Sequence, residues 1–311
     1  MIAMVIATLV VRECARCHPA EAKTHPATSM ARAMEAPGDS AILRTHPMLA
    51  LKKGKYSYRI EKNLYTVTDG SASLTFPILW AFGLGDAGQT YIFEKGGVPH
   101  ESRVSFFRAI DSLDSTLGAS NAPPANLMEA AGREMGKQDA AQCFACHSTR
   151  AATSLTPGIQ CERCHGSTEA HLAARKPMKK LGSANAEEIS TFCGQCHRTW
   201  AEIAGQGLLG ITNVRFQPYR LTNSKCFDVD DKRISCVGCH NPHQELDRND
   251  ADYDVKCQAC HAGGKPAAKA CKISKTNCVS CHMPKIEIPG SHYRFTDHQI
   301  RIARTNDRYP N

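Results

Sequence analysis

One pentapeptide, Cys-x-x-Cys-His, occurs seven times and decides what this chain folds around. The copies run from Cys14 to His18, Cys143 to His147, Cys161 to His165, Cys193 to His197, Cys236 to His240, Cys257 to His261 and Cys278 to His282. With 16 Cys and 14 His in 311 residues, independent placement gives about 0.04 such pentapeptides, so the repetition is not chance. On a helical turn, cysteines three residues apart share one face. The sulfurs of Cys14 and Cys17, Cys143 and Cys146, Cys161 and Cys164, Cys193 and Cys196, Cys236 and Cys239, Cys257 and Cys260, and Cys278 and Cys281 are therefore spaced to form thioethers to the two vinyl groups of one haem. The residue that follows brings an imidazole beneath the iron: His18, His147, His165, His197, His240, His261 and His282. A lone CxxC also suits a redox dithiol or half a zinc site, but zinc motifs do not put His directly after every second Cys. The expectation is seven covalently bound haem c groups.

Only 6% of the residues are aromatic, low for an interior built of side chains alone. Seven porphyrins are large, flat and mostly apolar, so they are expected to form most of the interior, with sparse regular structure around them. The formal charge of +8 falls to about +1 once the propionates and ferric centres of seven haems are included. The basic excess therefore reads as propionate pairing rather than nucleic-acid binding. Haem c is attached outside the cytoplasm, which predicts an exported, periplasmic or extracellular chain. The apolar start, residues 1–11, lacks a basic flank and an Ala-x-Ala site and is too short to span a bilayer. It reads either as the remnant of a signal that starts upstream or as a short strand. No later segment is apolar enough for a membrane helix.

Four regions follow along the chain. Residues 1–43 hold the first motif, after which Pro26 interrupts any helix and Thr28 or Ser29 offers a new cap. Residues 44–110 alternate polar with β-branched or aromatic residues, as in Lys55 to Ile60, Leu64 to Thr68, Leu74 to Leu79, Gln89 to Phe93 and Val98 to Phe107. With hairpin turns at Asp69-Gly70 and Gly96-Gly97, they predict a small antiparallel sheet without a haem of its own. Residues 111–136 read as a linker with a helix from Asn126 to Met135. Residues 137–311 form a six-haem domain whose first cysteines are 18, 32, 43, 21 and 21 residues apart, too close for their haems to lie far from one another.

Seven histidines lie outside the motifs: His25, His46, His100, His171, His243, His292 and His298. His171 and His243 follow their own motifs too closely to reach the same iron and are expected to ligate a neighbouring haem. His292, His298, His46 and His25 are further candidates for the sixth position, against exposed or hydrogen-bonded imidazoles. Met30 and Met34 share a helical face and read as a packed apolar stripe, with Met30 also a candidate thioether ligand. Cys226 and Cys271 remain as an even pair, suggesting a disulfide or, alternatively, free thiols.

Three stretches resemble the cytochrome c-554-type multihaem cytochromes, a group similar in haem arrangement to hydroxylamine oxidoreductase and pentahaem nitrite reductase. They are Cys161-Glu162-Arg163-Cys164-His165-Gly166 with His171, Cys236 to His243 with Asn241-Pro242, and Cys278 to Lys285 with Phe295-Thr296-Asp297-His298. The likeness covers residues 12–36 and 137–302. It implies parallel and perpendicular pairs of stacked haems, mostly bis-His, that pass single electrons. The fold class expected is thus a multihaem cytochrome c of mainly short α-helices and loops around stacked haems, with a small antiparallel β-rich insertion. In that family a His commonly stands where this chain has Met30, before Ala31-Arg32-Ala33, a departure that favours Met30 as a ligand.

The function expected is single-electron relay between redox partner proteins, an electron carrier more than an enzyme. Two alternatives stand beside it. One is an oxidoreductase acting on a small nitrogen or sulfur compound at a five-coordinate haem, although no Cys-x-x-Cys-Lys catalytic motif is present. The other is a subunit of a conducting filament that self-associates through terminal haems.

Overall fold

The computed structural model describes residues 14–150, 155–178, 180–262, 271–304 and 307–310, with Arg150 described in its backbone only. The apolar start read as a signal remnant or strand lies outside the described residues. The chain forms two units, residues 1–169 with 289–293, and residues 170–288 with 294–311.

The first unit is built on an antiparallel meander. Strands β2 (Met48–Lys53), β3 (Tyr56–Glu61), β4 (Leu64–Thr68), β5 (Ser73–Phe82), β6 (Gln89–Lys95), β7 (Val98–Phe107) and β8 (Ser112–Ser115) pair in sequence order. The short β1 (Met34–Glu35) adds to β5, and β9 (Gly132–Glu134) adds to β7. The meander curls until β2 meets β8, where Lys53 Nζ donates to Asp114 Oδ1 (2.8 Å) and Ser115 Oγ (2.7 Å). The expected turns are present. Gly96 and Gly97 both take positive φ between β6 and β7, as a two-residue turn matched to strand twist requires. Asp69 Oδ1 accepts from the Ser71 and Ala72 amides and holds the β4–β5 turn.

Alternation along these strands sends Tyr56, Tyr58, Ile60, Tyr65, Val67, Phe76, Ile78, Tyr91, Phe93, Val104 and Phe106 into one core. Phe93 stacks on Phe76 at 4.5 Å, and the Tyr65 hydroxyl donates to the Ala131 carbonyl (2.7 Å). Burying each such ring contributes on the order of 2–3 kcal/mol. Ala131 belongs to the helix Leu127–Ala131, capped by the Asn126 side chain. This helix is shorter than the sequence suggests. It ends because Gly132 enters β9 against Glu101, where a Cβ would lie 2.0 Å from the Glu101 carbonyl oxygen.

The helix expected from Thr28 or Ser29 is also cut short. Thr28 Oγ1 accepts from the Ala31 amide (3.1 Å), but the chain turns only once before β1. Met34, on β1, is buried with Phe82, Ile92 and Met135, which makes it a packing residue.

The second unit consists of short helices and turns. Ala186–His197 and Trp200–Gly205 start from capping boxes, Asn185 with Glu188 and Thr199 with Glu202. Gln217–Thr222, Cys236–Cys239, Asp254–His261 and Cys278–His282 follow, and Lys285–Glu287 pairs with Arg294–Thr296 as a two-stranded ribbon. Both clusters of packed core residues draw on positions 34 to 155. Among the described residues of the second unit, buried apolar side chains are scattered: Ala186, Ile189, Ile203, Val214, Tyr219, Leu221, Val279 and Ile288.

Candidate haem centres

Each motif forms a helical turn. The His18 amide bonds back to the Cys14 carbonyl (2.8 Å) and the His240 amide to Cys236 (2.8 Å). Cys143 and Cys146 close the helix Lys137–His147, Cys161–His165 is a helix by itself, and the helices Ala186–His197, Asp254–His261 and Cys278–His282 end on their motifs. No disulfide forms among the described residues, and twelve of the sixteen cysteines are only half-buried. Two sulfurs and an imidazole at every site, with few packed side chains between sites in the second unit, fit a covalently held, flat apolar group.

The first cysteines of six motifs come together in pairs. Cys14 lies within hydrogen-bonding reach of Cys161, Cys193 of Cys236, and Cys257 of Cys278. The first of these pairs belongs to the first unit and the other two to the second. Connection length alone suggests neighbours 18 to 43 residues apart, and the contact between Cys14 and Cys161 was not visible that way.

How each imidazole is held separates the histidines into two groups. In one, Nδ1 donates to the protein, the arrangement that fixes tautomer and ring orientation in a metal ligand. His147 Nδ1 donates to the Ala33 carbonyl (2.8 Å) and His282 Nδ1 to that of Arg301 (2.9 Å). His298 Nδ1 donates to the Thr296 carbonyl (2.9 Å) and His171 Nδ1 to that of Lys176 (2.8 Å). His240 Nδ1 lies 3.3 Å from the Tyr253 hydroxyl, which spends its own proton on the Asp247 carbonyl (2.9 Å) and so accepts from the ring.

His240 and His298 stand with ring centroids 6.2 Å apart. Two imidazoles bound to one iron have centroids about 6 Å apart, given metal–nitrogen bonds of ~2 Å and roughly 1 Å from each nitrogen to its ring centre. His298 is pushed down to about 4 by burial and by the neighbouring His240. Burial also lowers His240 and His147. These rings are held neutral, the form that binds iron.

In the second group Nε2 is engaged. His46 Nε2 lies 3.0 Å from Asp111 Oδ1, with its Nδ1 on the Ile42 carbonyl (2.9 Å). His292 Nε2 lies 2.9 Å from Asp114 Oδ2, and its ring meets Phe107 edge-on. Burial alone would raise the Asp114 carboxyl, but hydrogen bonds from Lys53, His292 and the Ser115 amide hold it at about 2. Both histidines, expected as candidates for the sixth position, thus have a carboxylate within hydrogen-bond reach of Nε2.

His100 is buried and stacked on Phe93, its Nδ1 on the Val98 carbonyl (2.9 Å). His25 is buried at the start of the turn His25–Ala27, and the His243 amide donates to Asn241 Oδ1 (3.0 Å) across Pro242. The Met30 carbonyl accepts from the Ile159 amide (2.9 Å), which carries the half-buried Met30 close to the motif that starts at Cys161. No bridge joins Cys226 and Cys271. Cys226 lies near Cys257 and Cys260, while the Cys271 thiol faces the backbone of Ile273 and Ser274.

Comparison with known proteins adds three findings. Residues 100–166 match the model of the family described as cytochrome c554 and c-prime, a stretch that begins in β7 and ends just after the third motif. The chain is 26% identical over 162 residues to "Multiheme cytochrome MtrA" of Shewanella baltica (strain OS185), an alignment covering 48% of this chain and 40% of that protein. The chain therefore spans well under half the length of that curated relative. The crystal structure of Outer Cell Wall Cytochrome OcwA is similar in fold, with a TM-score of 0.57 and 14% identity over 93% of this chain and 78% of that one. Among the described residues no helix is long and apolar enough to cross a membrane.

Proposed function

We propose that this chain, a multihaem c-type cytochrome, is an exported heptahaem carrier that relays single electrons between redox partners along closely spaced haems. Bound haem supplies a one-electron iron couple. The polypeptide tethers each group by paired sulfurs, holds His147, His240 and His298 neutral and oriented through Nδ1, and keeps the sites close to one another. The observation that carries the reading is the contact of first cysteines, Cys14 with Cys161, Cys193 with Cys236 and Cys257 with Cys278. Sulfurs this close, each tethering its own haem, would bring the edges of those groups near one another. The likeness to an outer cell wall cytochrome supports placement outside the cytoplasm.

Fourteen motif cysteines and seven motif histidines set the expected haem count at seven. His298 with His240 is proposed as a bis-His pair, with His171 and His243 as ligands to neighbouring haems. Met30, tied beside the third motif by the Ile159 amide, is a further candidate ligand. The 44–110 insertion is proposed as a haem-free module and 137–311 as the six-haem region.

The test is a haem count by alkaline pyridine spectrum, combined with EPR and film voltammetry of the matured protein. Seven haems per chain, wholly low-spin ferric iron and reversible waves without turnover of nitrite, hydroxylamine or sulfite are expected. A substantial high-spin fraction with a catalytic current on one of those compounds would transfer the assignment to an oxidoreductase.

A further inference from the structure

Arg220 and Asp297 are both wholly buried and form a two-bond ion pair, Nε to Oδ1 at 2.8 Å and Nη2 to Oδ2 at 2.9 Å. A second cation joins them, with Arg301 Nη1 2.5 Å from Asp297 Oδ2. The Arg220 guanidinium also lies over the Tyr309 ring at 4.5 Å and donates to the Pro310 carbonyl (2.6 Å). The cluster therefore sets two positive charges against one negative, with Arg220 and Asp297 removed from water and Arg301 partly exposed.

Its position is what matters. Asp297 immediately precedes His298, the ring facing His240, and Asp297 Oδ1 also accepts from the Gln299 amide (3.0 Å), closing the turn that presents His298. Arg301 grips the motif-7 histidine by its backbone. The Arg301 amide donates to the His282 carbonyl (3.1 Å), and His282 Nδ1 donates back to the Arg301 carbonyl (2.9 Å). A five-residue segment thus orients one imidazole belonging to the His240 centre and another belonging to the His282 centre.

An ion pair buried only for stability is commonly replaced by apolar packing without loss, and two cations on one carboxylate are costlier still. A plain buckle for the chain end would need neither the second guanidinium nor a place beside a ligand. A fixed positive charge in a site of low polarity favours the less positive state of a nearby metal.

We propose that Arg220, Asp297 and Arg301 form a charge-bearing positioning cluster that orients His298 and His282 and, by its net charge of one plus, raises the reduction potentials of the haems at His240 and His282. The inference rests on the haem reading above. The experiment separates the two, because haem content is measured first and potentials second.

Arg220→Gln, Asp297→Asn and Arg301→Gln are each matured to full haem content and titrated potentiometrically, with low-spin EPR signals followed one by one. Arg220→Gln and Arg301→Gln, which cut the net charge, lower the midpoints of two haems and leave five in place. Asp297→Asn, which increases the charge, raises the same two. Should Arg220→Gln fail to mature, the Arg301→Gln and Asp297→Asn pair still gives opposite signs at the same haems. Unchanged midpoints in fully loaded variants, or shifts of one sign for both changes, overturn the proposal. A wild-type chain without seven haems overturns the reading beneath it instead.

Discussion

His240 and His298 face each other across 6.2 Å while each ring keeps its Nδ1 on a protein acceptor. The separation matches one iron with two axial imidazoles, although the two residues lie 58 positions apart in sequence. Replacing His298 by Ala is therefore expected to convert one low-spin haem to high spin without lowering the haem count. EPR and the pyridine spectrum of the same sample check this.

Replacement of His46 by Ala should leave every haem signal as it was. Its nitrogens are taken by Ile42, Thr45 and Asp111, and Asp111 is well exposed. The loss of such a surface pair costs less than about 1 kcal/mol, measured by urea unfolding of the variant against the parent.

The Asp114 carboxyl predicts a pH dependence. Its folded value of about 2 lies below the 3.8 of an unperturbed aspartate, so the contribution is full above pH ~4 and disappears as pH falls through ~2. Acid titration of the sheet by far-ultraviolet circular dichroism should show a loss in that window, and Asp114→Asn should flatten it.

Phe93 is the ring around which the sheet packs, fully buried and in contact with Tyr65, Phe76 and His100. Phe93→Ala leaves a cavity and is expected to lower stability by ~3–5 kcal/mol. The shift of the urea midpoint gives the figure.

The sequence disclosed the parts governed by local chemistry. The motif turns follow from spacing, and β3, β4, β6 and β7 from alternation with their turns. The ends of the sheet were harder to see. β2 is Met48–Lys53 with little β-branching, and β9 lies inside a stretch of good helix formers, where pairing with His100 to Ser102 overrides propensity. Seven spare histidines matched seven motifs in number, yet His46 and His292 are claimed by carboxylates 65 and 178 residues away. No local pattern carries such a partnership. The partner of Cys14, likewise, is the first cysteine of the third motif and not of the second.

The uneven distribution of packed side chains sets an order of assembly. Strands and aromatic rings between positions 34 and 135 bury one another without outside help, so this part is expected to condense by itself. The stretches that bear the later motifs contain too little grease to collapse by themselves. They are expected to close only around bound porphyrin, which would make haem attachment and folding there a single event.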